Sequence, residues 1–157
     1  MEKGHLLSRG LKALARSEAG AAAVELAVIL PVLTLLAIGV ADYGRSYFAG
    51  ITVSHAARAG AQYGAQNTGT SGNFTGMSAA AIQDAGDVGR IDPPSASRFC
   101  RCPDSTADVD CTTTCTGYGA PETFVSVTTS KTVRFLLRYP GLPTGSTVTR
   151  TVTLRVQ

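Results

Sequence analysis

The hydrophobic residues of this 157-residue chain are concentrated near its N-terminus, where the stretch 26–41 carries no charged side chain. At a helical rise of about 1.5 Å per residue, residues 21–41 would span roughly 30 Å, the thickness of the hydrocarbon core of a bilayer. Because backbone groups in lipid must find partners within their own segment, we expect a transmembrane helix over 21–41. Pro31 removes one bond of that helix and should kink it.

The helical pattern continues beyond the apolar segment, and it predicts a helical extension over residues 42–66. Small residues are frequent in this extension. Ala56, Gly60 and Gly64 fall four residues apart, so they share one ridge of the helix. Small side chains on a ridge permit the close approach of another helix or of a head domain.

The remaining residues, 67–157, predict a small head domain of α+β class. Residues 78–89 have the composition of a short helix, and Ser78 is a suitable N-cap. The sequence Asp92-Pro93-Pro94 stops any helix before it.

Two segments near the C-terminus have the period-two alternation of β-strands. The first covers residues 124–129, with an extension or second strand at 132–137, and the other covers residues 147–156. Turn residues between them favour an antiparallel hairpin or a small sheet. Arg150 interrupts the apolar face of the last strand, so the middle of that face should be open.

Four cysteines lie within residues 100–115. An even number of cysteines in an exported domain favours two disulfides, and a bond between Cys100 and Cys102 would be strained. Cys100–Cys115 with Cys102–Cys111, or Cys100–Cys111 with Cys102–Cys115, both remain open, and we slightly favour the first. A zinc site made of the four sulfurs is the competing interpretation, although two-residue spacers are usual in zinc knuckles and neither pair has one.

Charge indicates how the chain is oriented. The first 20 residues form a basic leader with Lys3, Arg9, Lys12 and Arg16, whereas the rest of the chain is almost neutral. Since basic residues stay on the cytoplasmic side of a membrane, we expect the N-terminus in the cytoplasm and the head on the other side. No basic patch is dense enough to indicate a nucleic-acid partner.

Glu25 is an acidic residue at the start of the apolar segment, where a charge is unfavourable unless it has a partner. Cleavage between Gly20 and Ala21 would create an α-amino group, with Glu25 at the fifth position of the mature chain. The carboxylate of one subunit could then pair with the amine of a staggered neighbour, because opposite charges attract strongly at low dielectric.

Three segments together resemble the TadE-like pseudopilins of the tight-adherence (Flp) pilus system, which are related to type IV pilins. They are Gly20-Ala-Ala-Ala-Val-Glu25-Leu-Ala-Val-Ile-Leu-Pro31, Asp42-Tyr43-Gly44-Arg45 and Ala56-Ala57-Arg58-Ala59-Gly60-Ala61. The resemblance covers about residues 16–64. Leu26 departs from it, since an aromatic residue is more usual there.

The resemblance implies cleavage by a prepilin peptidase after Gly20, with Glu25 acting in processing or assembly. It also implies a minor pilin or assembly factor in the bacterial inner membrane. The implied partners are other pilins or pseudopilins, inner-membrane assembly components and the lipid bilayer.

The chain carries few residues suited to catalysis, and the motifs of common enzyme classes are absent from its sequence. We therefore expect a structural protein that needs no cofactor and no metal. Two alternatives remain: an uncleaved membrane-anchored periplasmic domain, and a secreted binding domain released after Ala41 by signal peptidase.

Overall fold

A computed structural model describes residues 18–86, 89–137, 140–141 and 143–157. Most of the predicted leader, residues 1–17, lies outside the described residues. The chain divides into two compact units, residues 1–42 and residues 43–157. The element order is helix, short helix and four strands, which confirms the predicted α+β class.

Helix α1 covers Glu18–Ala65, so the predicted membrane segment and its extension belong to one helix. The helix continues through Pro31, and the kink stays a prediction. Thr34 Oγ1 donates to the carbonyl of Leu30 at 2.8 Å, so its hydroxyl is satisfied within the helix. An apolar segment with its polar groups bonded internally meets the requirement that lipid imposes.

Helix α2 covers Phe74–Ala85, and it follows a 3₁₀ turn at Thr70–Gly72. It begins earlier than we predicted, because Asn73 is the residue that caps it: its side chain accepts from the backbone N–H of Gly76 at 2.9 Å. Ser78, the predicted cap, lies inside the helix, and its hydroxyl contacts the carbonyl of Pro94. The prediction of Ser78 as N-cap was therefore wrong.

Four antiparallel strands form one sheet in the order β2-β1-β3-β4. Their bounds are Ser95–Arg101 for β1, Asp108–Val109 for β2, Glu122–Arg134 for β3 and Gly145–Arg155 for β4. The predicted hairpin corresponds to β3 and β4. Strands β1 and β2 were not predicted individually, although a small sheet was one of the two expected arrangements.

The core of the head lies between the sheet and the two helices. Apolar residues of β3 alternate towards it, with Val125 and Val127 fully buried. Helix α2 contributes residues spaced four apart, so that one face of the helix is buried. The core cluster consists of Val53, Ala56, Ala61, Met77, Ala81, Ala85, Ile91, Val125, Val127 and Val156.

Candidate functional site

The first part of α1 has an exposed apolar surface. An 18-residue window in it has a mean hydropathy of 2.4, and none of that window is buried. The helix is therefore long and apolar enough to cross a membrane, judged by length and composition. Its large apolar side chains are 52% to 72% exposed; they are Val24, Leu26, Val28, Ile29, Leu30, Val32, Leu33, Leu35, Leu36 and Val40.

Glu25 is the one charged residue in the sequence between Gly20 and Ala41. It is exposed, and its chain neighbours Val24 and Leu26 are exposed as well. Gly20 and Ala21 lie in the same helix and are also exposed. The structure thus places the predicted processing residues and the acidic residue on the first turns of α1.

The later part of α1 has a different environment. Ala56, Ala57 and Ala61 are completely buried. A methyl group added at Gly60 would lie 2.7 Å from the carbonyl oxygen of Met77, so the backbones of α1 and α2 approach closely there. The predicted ridge of small residues is confirmed as a packing surface, and its partner is the head itself.

The residues of the first and third segments that carry the resemblance fall into two physical classes. Those between Gly20 and Pro31 are exposed and apolar apart from Glu25, whereas the alanines and the glycine of the segment 56–61 form the helix side of the head core. Spacing alone could not separate these roles, since small and apolar residues are common to both.

A groove opens between α1 and β4 on the face that Arg150 interrupts. Arg150 and Val148 line one side of it, and residues from α1 line the other. The α1 residues are Tyr43, Ser46, Tyr47, Gly50, Ile51, Ser54 and His55. The expected opening in the middle of the β4 face is thus present, and His55 lies on its exposed wall.

The cysteines form two disulfides, Cys100–Cys111 and Cys102–Cys115, with Cα atoms 5.1 Å and 5.6 Å apart. The pairing that we slightly favoured was the other one, so that preference was wrong. The physical reason is the register of β1 and β2, which pairs Cys100 with Val109. Cys111 follows two residues later and is therefore nearer to Cys100 than to Cys102.

Two carboxylates in the disulfide loop, Asp108 and Asp110, have protein partners. Arg101 Nε lies 2.7 Å from Asp108 Oδ1. Asp110 accepts hydrogen bonds from the hydroxyl of Thr112 at 2.6 Å and from its backbone N–H at 2.8 Å, and these bonds hold the pKa of Asp110 below its ordinary value. Within the described residues, no group of three or more His, Cys, Asp or Glu is arranged to hold a metal ion.

Comparison with known proteins gives one family match. The model of the family described as TadE-like protein matches residues 20–62, which is the exposed apolar segment of α1 together with most of its buried extension. No curated protein and no solved structure matches the chain. The head beyond residue 62 lies outside the family match.

The family match, residues 20–62, lies entirely within helix α1. The apolar N-terminal helix is consistent with a single-pass membrane anchor. The matched residues also include all three segments that resemble the family, 20–31, 42–45 and 56–61. The match of residues 20–62 to the TadE-like family model is thus consistent with a pilin-like protein of the Tad system.

Proposed function

We propose that this protein is a pilin-like structural or assembly subunit for the biogenesis of a tight-adherence (Flp) pilus. The observation that carries the proposal is the family match over residues 20–62, on a helix whose exposed apolar part contains a single charge, Glu25. A role in the filament or its priming complex requires surface for lateral packing, and that exposed part of α1 provides it. Members of the TadE-like family are structural pilus components, so we propose no catalytic activity.

Processing is the first step of the proposed function. A prepilin peptidase cleaves after Gly20, and Ala21 then carries a new α-amino group. The amine is positive at neutral pH and Glu25 is negative, so the two groups of adjacent, axially staggered subunits attract each other in the low dielectric of lipid. This pairing compensates the unfavourable burial of the carboxylate and fixes the stagger between neighbours.

The proposed location is the bacterial inner membrane, with the N-terminus in the cytoplasm and the head in the periplasm. Support comes from the basic leader, since an excess of Lys and Arg remains on the cytoplasmic side. The two disulfides support it as well, because such bonds form and persist in oxidising compartments outside the cytoplasm. The proposed partners are the peptidase, other pilins or pseudopilins, inner-membrane assembly components and lipid.

N-terminal sequencing of the mature protein tests the proposal directly. A chain that starts at Ala21 supports it, a chain that starts at Met1 identifies an uncleaved anchor, and a chain that starts at Asp42 identifies a secreted domain.

Gly20→Val should block cleavage because the peptidase needs a small residue there. Gly39→Val is the matched control: it lies in the same helix with nothing within 4 Å of an added Cβ. Equal processing of both variants would contradict cleavage after Gly20.

A further inference from the structure

The helix and the longest strand of the head run in opposite directions. Gly60 packs against Val127, and Thr129 donates from Oγ1 to the carbonyl of Val53 at 2.6 Å. Continuing along β3, the segment 131–134 lies beside the helix segment 45–52, with which it lines a shallow groove. The C-terminal end of β3 is therefore at the same end of the head as the first turns of its helix.

Basic side chains collect at this end. Arg45 on the helix and Lys131 and Arg134 on β3 line the same groove, and Arg134 is exposed. Two carboxylates lie near these residues: Asp42, which is buried, precedes Arg45 on the helix, and Asp92 accepts a hydrogen bond from Ser130, the chain neighbour of Lys131. The groove itself is lined by no acidic residue of the described chain.

The opposite end of the head carries charges of both signs, with Arg98, Arg101 and Arg155 beside its carboxylates. Glu122 begins β3, and Asp104, Asp108 and Asp110 lie in the loop held by the two disulfides. Of these, Glu122 pairs with Arg155, and Asp108 pairs with Arg101. The two ends of β3 therefore differ in how their charges are arranged: acidic and basic side chains pair at its start, whereas Arg45, Lys131 and Arg134 line one groove at its end.

Exposed aromatic and aliphatic side chains lie at the same end of the head. Tyr43, Tyr47 and Phe48 on the helix are 74%, 61% and 64% exposed. The connection from β3 to β4 adds Leu136 and Leu137, which are 59% and 45% exposed. We call this surface the basic end; it consists of Tyr43, Arg45, Tyr47, Phe48, Lys131, Arg134, Leu136 and Leu137.

We propose that the basic end docks on the surface of an anionic phospholipid bilayer. Tyr43 follows the apolar segment within the same helix, so the chain enters the head at this end. Tyrosine is enriched at the membrane interface, and Lys and Arg near an anionic surface are attracted to its phosphates. An anionic bilayer surface attracts the basic side chains of the basic end, and its interface accommodates the tyrosine and phenylalanine rings beside them.

This inference rests on the membrane anchoring in the proposed function and goes beyond it. An anchor alone leaves the head free to move above the bilayer. Docking adds a second attachment, through residues of β3 and the β3–β4 connection that lie about 90 positions further along the chain than the anchor. A head held against the membrane by the basic end orients its disulfide-bonded end away from it.

A single-tryptophan reporter tests the docking, because the chain contains no tryptophan. The full chain carrying Leu137→Trp is reconstituted in nanodiscs of phosphatidylcholine, alone or mixed with phosphatidylglycerol, that contain a lipid with a spin-label quencher near the headgroup. We expect stronger quenching in the anionic discs, and we expect added salt to reduce it. Tyr118→Trp, at the disulfide-bonded end and 59% exposed, is the matched reporter and should be quenched little in either disc.

Charge variants in the Leu137→Trp background identify the contact. Arg134→Glu should lower the ratio of docked to free heads by roughly fivefold or more, since a basic side chain is replaced by one that the surface repels. Arg98→Glu, an exposed position on β1, should leave that ratio unchanged. Urea midpoints of the two charge variants should match that of the parent, so that a loss of quenching reports docking and not unfolding.

Three results would overturn the inference. Equal quenching of Leu137→Trp and Tyr118→Trp means that the head does not touch the bilayer at the basic end. A blue-shifted but unquenched Leu137→Trp means that protein covers this surface, as a second copy would. Failure of the chain to co-elute with nanodiscs would show that the helix is not a membrane anchor. Co-elution is measured before fluorescence, so a loss of anchoring can be distinguished from a loss of docking.

Discussion

Thr129 Oγ1 donates a 2.6 Å hydrogen bond to the backbone carbonyl of Val53, and both residues are almost completely buried. This bond connects the middle of β3 to the helix across 76 residues of sequence. A buried hydroxyl without a partner is unfavourable, so the bond also specifies how far the strand lies along the helix.

Replacing Thr129 by Val should therefore destabilise the head by about 1 kcal/mol, because the shape is kept and one buried hydrogen bond is lost. The measurement is urea denaturation of the full chain in detergent. Thr128→Val is the matched control, since the hydroxyl of Thr128 contacts that of Thr151 on the exposed face of the sheet. Equal losses in the two variants would contradict a special role for the bond to Val53.

Gly60 should tolerate no larger residue. A Cβ there would lie 2.7 Å from the carbonyl oxygen of Met77, a backbone atom that cannot rotate away. Gly60→Ala should lower the unfolding free energy by roughly 1–3 kcal/mol through overpacking.

Gly44 provides the control for that substitution, because nothing lies within 4 Å of a Cβ added there. Gly44→Ala should be neutral or stabilise the helix by up to about 1 kcal/mol, since alanine favours helix more than glycine does. A stable Gly60→Ala variant would show that α1 and α2 are further apart than described.

The disulfide pairing can be established by peptide mapping without reduction. Trypsin cleaves between Cys100 and Cys102 at Arg101, and cleavage before aspartate separates Cys102 from Cys111. Thr113→Lys, at an exposed position, adds a tryptic site between Cys111 and Cys115. The expected products link Cys100 to Cys111 and Cys102 to Cys115; recovery of a Cys100–Cys115 peptide would contradict the structure.

Glu25→Ala should prevent assembly without preventing membrane insertion. The apolar segment becomes more hydrophobic, so insertion is retained, whereas in the proposed assembly the α-amino group of Ala21 loses its partner. We expect a reduction of roughly tenfold or more in pili counted by electron microscopy, with a normal amount of protein in the membrane fraction.

Asp84→Ala is the control for Glu25→Ala, because Asp84 is an exposed carboxylate on α2 in the head. It should leave the number of pili unchanged. Normal piliation in Glu25→Ala would refute the pairing between subunits, even if N-terminal sequencing finds cleavage after Gly20.

The long helix and the strands β3 and β4 could be predicted because their signals are local. Absence of charge over 26–41 and the alternation of Val and Thr in β4 depend only on neighbouring residues. Strand β1, by contrast, has the sequence Ser-Ala-Ser-Arg-Phe-Cys-Arg, which contains no β-branched residue. It is a strand because β3 pairs with it over its whole length, a contact that local sequence does not encode.

The same limit applies to the candidate site. Glu25 and Gly20 were found from their order along the chain, which is a local property. The disulfide pairing depended on the register of β1 and β2, and the basic end depends on where β3 finishes relative to the helix. Both are set by contacts between distant segments.

The distance between Val53 and Thr129 along the chain also sets an order of events during synthesis. A ribosome releases Val53 long before Thr129, which is 76 residues later. Until β3 emerges, the small-residue face of the helix from Ala56 to Gly64 has no sheet to cover it. The core of the head therefore closes only once β3 has been made, and before that the face can pack only against α2, whose Met77 lies next to Gly60 and Gly64.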